Sequence, residues 1–462
     1  MAEMIKSNKP LAVNPLKASQ PLGAILAFLG IDQSIPMLHG SQGCSAFAKV
    51  FLVRHFREPI PLQTTAMDQT TTVMGADDNV IKGLETVIEK RQPQLIGVAS
   101  TGLSETQGSD LQGLVKRFYQ EHPDSSTRIV PVVTPDFTGG LESGYALAVE
   151  AMIQQLVPAS SNAGELPRQV NLLASSMLTV ADLEYLRDLI ESFGLEAVIL
   201  PDLSRSLDGH LTEEDFVPVT TGGTRVEDFE RLGQSGLTLV VGASLNKAAD
   251  LLKQKTGVPD LRFNSLMGLK ATDHLVQALH DYSGQPVAAW IERQRSQLQD
   301  AQLDSHFMLG MARVALAADP DLLFSFTGLV QEMGAEVVAA VTPHKSPLLE
   351  ALPIQEVLLG DLDDLEKAAG EAHAQLLIGN AHAAQSAERL KVPLIRAGWP
   401  IYDRLGAQHQ LWIGYRGSRE TLFLLANHLL AEHHQHEIPA RVSRYAATSS
   451  TQEADHASLK TG

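Results

Sequence analysis

From about Ile31 onward, short apolar runs alternate with amphipathic stretches, a pattern that predicts strands followed by helices. Leu95-Ile96-Gly97-Val98-Ala99-Ser100 reads as a buried strand, Leu111 to Tyr119 as a helix, Ile129 to Val133 as the next strand and Glu142 to Val157 as a helix. A Ser/Asn/Gly-containing stretch between Pro158 and Pro167 reads as a linker. A second series follows, with strands at Val170–Ala174, Ala197–Leu200 and Leu237–Val241 and helices near 180–193 and 225–235. After a long helical stretch from Pro286 to Ala318, a third series has expected strands at Leu322–Phe326, Glu336–Val341, Glu356–Leu359 and Gln375–Ile378. Strands that are apolar throughout and alternate with helices imply parallel sheets covered on both faces. The expected fold class is therefore α/β, with three Rossmann-like domains.

The boundaries follow from the same pattern. Residues 1–20, interrupted by Pro10 and Pro15, read as an extended lead-in. Residues 21–160 read as a first Rossmann-like domain bearing Cys44, 161–290 as a second and 291–418 as a third. Residues 419–442 read as a C-terminal helix and 443–462 as a mobile tail rich in Ser, Thr, Ala, Glu and Asp.

Charge narrows the range of partners. The 36 basic residues against 54 acidic ones give a net charge of −18, which argues against nucleic acid. No apolar run reaches the roughly 18–20 residues that span a bilayer, and the polar start lacks a signal-peptide core. One cysteine in 462 residues excludes an intrachain disulfide framework, so a reducing cytoplasm is the default location.

Motifs exclude more than they assign. Loops at Thr101–Glu105, Thr134–Gly140 and Thr342–Pro347 are placed at strand ends, where α/β proteins bind ligands, yet none carries a phosphate-binding glycine pattern. There is no HExxH and no GxSxG, so hydrolase chemistry has no support. The cluster His428, His433, His434 and His436 suits a solvated helix end, where the dipole favours cations, better than a metal site. Cys44 stands out in Leu38-His39-Gly40-Ser41-Gln42-Gly43-Cys44, ahead of an expected helix Ser45–Arg57. Two glycines permit close approach, and a helix start favours a thiolate. Phe47, Val50 and Phe51 fall at core spacing on that helix. From the residues alone, an inert buried thiol remains the commoner reading.

The runs Gln20-Pro21-Leu22-Gly23, Pro36 to Cys44 and Arg54-His55-Phe56-Arg57-Glu58-Pro59 closely resemble the β subunit of the nitrogenase molybdenum–iron protein. They resemble its paralogous cofactor-assembly family, NifN, more closely still. The likeness extends to Glu105-Thr106-Gln107-Gly108-Ser109-Asp110, Thr134 to Gly139, Leu200 to Ser204 and Ala397-Gly398-Trp399-Pro400, covering roughly residues 18 to 435. The resemblance implies a nitrogenase component 1-like fold. It also implies three cysteines where a β subunit holds half of a P-cluster; Ser19, Cys44 and about Gly102 stand at those places here. One thiolate from this chain and three from a partner would complete the four ligands of a [4Fe–4S] cluster. The implied role is a non-catalytic subunit of an α2β2 scaffold with a NifE-type subunit. On that scaffold the FeMo-cofactor precursor, delivered by NifB and held mainly by the partner, acquires molybdenum and homocitrate with the ATP-dependent nitrogenase iron protein. The metal ligand expected is Cys44, with Ser41, Gln42 and Gly43 near the cluster, and the Gly102 and Thr138-Gly139 loops near it or near the docking face. The alternative is a β-type subunit of a nitrogenase-like reductase.

Overall fold

A computed structural model describes residues 2–211 and 217–437. The expected tail at 443–462 and the side chains of His433, His434 and His436 lie outside the described residues. The described residues build fourteen strands. They are β1 (Glu3–Lys6), β2 (Ser34–His39), β3 (Gln63–Thr64), β4 (Leu95–Ser100), β5 (Arg128–Val132), β6 (Leu166–Ala174), β7 (Glu196–Leu200), β8 (Ser235–Val241), β9 (Asp260–Phe263), β10 (Arg313–Ala317), β11 (Glu336–Thr342), β12 (Glu356–Leu359), β13 (Leu376–Gly379) and β14 (Leu394–Arg396). They form three sheets in the orders β3-β2-β4-β5, β7-β6-β8-β9 and β1-β12-β11-β10-β13-β14. Every strand pairing is parallel. β2, β4 and β13 are buried at every position, as strands covered on both faces must be.

Seven helices matter for the site: α1 (Gln20–Leu29), α2 (Gln42–Phe56), α3 (Gly102–Gln107), α4 (Leu141–Leu156), α5 (Ala289–Leu309), α6 (Pro320–Glu332) and α7 (Gly414–Glu437). The largest apolar cluster runs through all three sheets and includes Phe28, Tyr145, Phe229, Phe326 and Tyr415. α1 crosses α4 so closely that a Cβ on Gly23 would lie 1.8 Å from the Leu141 carbonyl oxygen. A Cβ on Gly144 would lie 1.8 Å from that of Gln20.

Two local expectations are corrected. Leu322–Phe326 is not a strand but part of α6. Its buried Leu322, Leu323, Phe326, Leu329 and Val330 follow helical spacing, and Pro320 at the first turn pre-sets the helix. A five-residue apolar run cannot by itself distinguish the two states. The strand of that unit is instead β10, at the end of what reads as a helix to Ala318, and it is buried between β11 and β13. The lead-in also does more than link: β1 pairs with β12, in the register Glu3↔Glu356 to Lys6↔Leu359, and so ties the N-terminus to the third sheet.

Candidate functional site

β2 ends at His39, and the chain turns through Gly40 and Ser41 into α2. The turn is tight because Thr101 packs against it: a Cβ on Gly40 would lie 2.7 Å from Thr101 Oγ1. Thr101 Oγ1 donates to the His39 carbonyl at 2.9 Å. The His39 ring is buried between Thr65 Oγ1 at 2.9 Å and Ser109 Oγ at 3.0 Å. Burial lowers its pKa to about 4, so it is a neutral brace. Ser41 caps α2 in extended conformation, and its hydroxyl lies 3.4 Å from Cys44 Sγ. Gly43 has no such crowding; a Cβ there would meet nothing nearer than Ser41 Oγ at 3.8 Å.

Cys44 is exposed, which overturns the buried-thiol reading. It sits in the first turn of α2, where backbone N–H groups lack intrahelical partners and the dipole favours negative charge. It borders a cavity of about 420 Å³ whose lining includes Ser19, Phe51, Thr101, Lys17 and His382. Ser19 and Thr101, the residue before Gly102, thus line the same space as Cys44, whereas Gly102 itself is not in the lining. A Cβ on Gly102 would be 3.5 Å from Asp136 Oδ2, so a side chain fits there. Gln42 and Gly43 are exposed on the outer side of the turn. Thr138 and Gly139 are not in this cavity. Thr138 Oγ1 donates to Gln20 Oε1 at 3.3 Å, and both residues line a neighbouring groove.

The apolar face of α2 departs from expectation. Ala48, Leu52, His55 and Phe56 are buried, whereas Phe47 is 70% exposed and Val50 is 50% exposed. Phe47, Val50 and Val53 form an outward stripe beginning one turn beyond the thiol. Scattered exposed apolar residues are ordinary; here three of them line up at helical spacing beside an exposed thiol.

Two residues at the cavity, Lys17 and His382, escape sequence reading. Lys17 donates from Nζ to the Asp136 carbonyl at 2.8 Å, and burial pulls its pKa down. His382 lies 3.3 Å through Nδ1 from the Pro15 carbonyl, which can only accept; Nδ1 therefore carries the proton and Nε2 keeps a lone pair. Asp136 lies in the Thr134–Gly140 loop that the sequence marks at a strand end, but Lys17 comes from the lead-in and His382 from the third unit, so no local signal brings those two to the cavity. Among the described residues, one carboxylate group, Asp361, Asp363 and Asp364, is compact enough for a cation. The Lys9 ammonium fills that place, 3.0 Å from both Asp363 and Asp364. Among the described residues, no helix is long and apolar enough to cross a membrane.

Comparison with known proteins agrees with this geometry. A family profile described as nitrogenase component 1 type oxidoreductase matches residues 19–430. The nitrogenase iron-molybdenum cofactor biosynthesis protein NifN of Klebsiella pneumoniae is 45% identical over 437 residues, covering 94% of this chain and 95% of that one. NifN of a Nostoc species is 48% identical over 428 residues, covering 92% and 95%. A solved structure, "Nitrogenase Cp1 at pH 6.5", superposes with a TM-score of 0.87 at 29% identity, covering 94% of this chain and 97% of that one.

Proposed function

The chain belongs to the nitrogenase component 1 type oxidoreductase family, in the branch of the NifN cofactor-biosynthesis proteins, and from that membership we propose that it is one subunit of an assembly scaffold for the nitrogenase iron–molybdenum cofactor. The observation that carries the more specific role is the position of its only thiol: Cys44 is exposed, at a helix start, beside an exposed apolar stripe. One sulfur with the Ser19 and Thr101 hydroxyls nearby fits one corner of a cluster and not a whole one. Cys44 would hold that corner of a [4Fe–4S] cluster, and a NifE-type subunit would hold the rest, within an α2β2 assembly. When bound, such a cluster supplies one-electron transfer across the subunit contact.

The chain's other residues shape the place. Thr101 and Gly40 set the turn, Ser41 contacts the sulfur, and Phe51 gives the cavity an apolar wall. The cofactor precursor, as cargo from a NifB-type donor, sits mainly in the partner, because this chain has no second cysteine to ligate it. Its maturation with molybdenum and homocitrate draws on the ATP-dependent iron protein.

The test is anaerobic co-purification with the partner. Cys44→Ala is expected to lose iron from the complex and to abolish or transform the [4Fe–4S] EPR signal. Iron content and spectrum equal to the parent's would refute the ligation. Reduction of dinitrogen by the complex at nitrogenase rates would instead support the β-type reductase reading. The stripe makes a separate prediction. Burying a phenylalanine is worth roughly 1.5–3 kcal/mol, and a buried unpaired carboxylate costs more. Phe47→Asp is therefore expected to leave the isolated chain's melting midpoint within error and to weaken association with the partner at least tenfold. Unchanged elution as the heteromeric complex at low micromolar concentration would count against the stripe as an interface.

A further inference from the structure

The third sheet is parted between two of its strands. β10 and β11 pair as Arg313↔Glu336 and Val314↔Val337, then skip Val338, so that Ala315 stands opposite Ala339. The extra residue is a β-bulge, which bends its own strand and interrupts pairing. On its other side β11 pairs with β12 only through Val341↔Leu358 and Thr342↔Leu359. Glu336 to Ala340 therefore have no partner strand on that side, and Glu356 and Val357 pair only with β1, on the outer edge of β12. Between the parted strands lies a cavity of about 930 Å³, lined by residues 336–340 and 353–356 and by Ala368 and Ala372.

Two further features of the wedge call for a partner. Gln331 donates from Nε2 to the Pro353 carbonyl at 3.1 Å, but its Oε1 is buried with no hydrogen-bond partner among the described residues. Glu356 stands directly opposite Glu3 on β1, and both are exposed. Among the described residues neither has a cation within salt-bridge distance. Like charges opposite one another on neighbouring strands destabilise a sheet, and a cation brought from outside relieves them. Arg313 stands opposite Glu336 in the ladder and offsets that carboxylate instead. An unpaired strand edge asks for N–H and C=O groups at the strand repeat, which an extended peptide supplies and a compact solute does not. Five residues of β11 offer about 16 Å of such edge. From this we propose that the wedge between β11 and β12 receives an extended basic segment of a partner protein, which adds backbone hydrogen bonds to β11 and sets a lysine or arginine against Glu356 and Glu3. The small side chains of Ala368 and Ala372 leave room for the segment's own apolar residues. The inference goes beyond the scaffold role and does not depend on Cys44 holding metal.

The test uses the full chain in complex with its partner subunit and the fluorescein-labelled probe peptide Lys-Val-Thr-Val-Thr-Lys, followed by anisotropy. The probe is expected to bind saturably. The same peptide with both lysines changed to glutamate should bind at least tenfold more weakly, and so should one N-methylated at alternate residues, which keeps the charge but loses the strand donors. Glu356→Lys should weaken the parent probe at least tenfold and the milder Glu356→Gln about threefold, both with the iron content of the parent complex. Glu89→Lys, on a helix of the first unit, should change nothing. Hydrogen exchange supplies a second readout: the amides of Val337–Ala340 that face away from β10 should exchange fast in the complex and slow when the probe is added. Absence of saturable binding, equal affinity for the acidic or N-methylated peptide, or unaltered affinity in Glu356→Lys would each overturn the proposal. Slow exchange of those amides before any probe is added would show that the complex itself fills the wedge, and would overturn it as well.

Discussion

Gly144→Ala is expected to lower the thermal midpoint by roughly 6–12 °C, whereas Gly328→Ala, the same change in another helix, is expected to raise it slightly. The two differ only in what the added methyl meets. At Gly144 a Cβ would lie 1.8 Å from the Gln20 carbonyl oxygen and 3.0 Å from its Cα. That neighbour is backbone, so no rotamer relieves the clash and α1 must move away from α4. Overpacking typically costs about 1–3 kcal/mol, and a backbone clash belongs at the upper end. At roughly 2–4 °C per kcal/mol, that gives the stated shift. Gly328 lies in α6, exposed, with nothing within 4 Å of the new methyl. Alanine there removes unfolded-state freedom and gains about 0.4–1 kcal/mol. The crossing also positions the site: Gln20 donates from Nε2 to Ser143 Oγ at 3.1 Å, and Ser19, before it, lines the Cys44 cavity. Gly144→Ala should therefore reduce cluster loading along with stability. Melting curves moving in the same direction for both variants would refute the crossing argument.

Particular residues show what the sequence made legible. The repeating strand–helix pattern was readable because strands such as Leu95–Ser100 are buried on both faces and so apolar throughout. The family was readable because the run through Cys44 is long and specific. Leu322–Phe326 is helical despite its strand-like run because length is the main local arbiter between a buried strand and a buried helix segment, and five residues satisfy both. Phe47 and Val50 fit a core pattern yet are exposed, because periodicity reports an apolar face without saying what covers it. The meeting of Lys17 and His382 with Asp136, whose loop the sequence does mark, depends on packing between units, which no local pattern encodes.

Stability should fall as pH rises from about 6.5 to about 8, and Asp321→Asn should remove most of that slope. The cause is a set of carboxyls where the three sheets meet. Glu142 of α4 accepts from the Asp321 backbone N–H at 2.9 Å, and the Asp321 carboxylate accepts from Ser244 Oγ at 2.6 Å, so one residue links all three units through its backbone and its side chain. Asp319 and His344 face the same space, at 3.7 Å from one another, and Ser175 Oγ is buried there without a partner. Burial, with Glu142 nearby, pushes the Asp321 pKa up to about 8, and burial together with Asp319 raises Glu142 as well. An aspartate in the unfolded chain titrates near 3.9, so the native state binds more protons across the interval between the two values. Stability from this group is then full below about pH 4 and is lost as pH climbs through the native value, by a few kcal/mol in all. His344 works in the opposite sense: burial lowers its pKa, so its contribution is lost as pH falls below about 6.5. The carboxyl effect is therefore cleanest above 6.5. Asn at 321 keeps an oxygen for Ser244 and cannot ionise, so the variant should match the parent near pH 4 and melt several degrees higher at pH 8. Parallel pH profiles for the two proteins would show that the junction carboxyls are not the titrating groups.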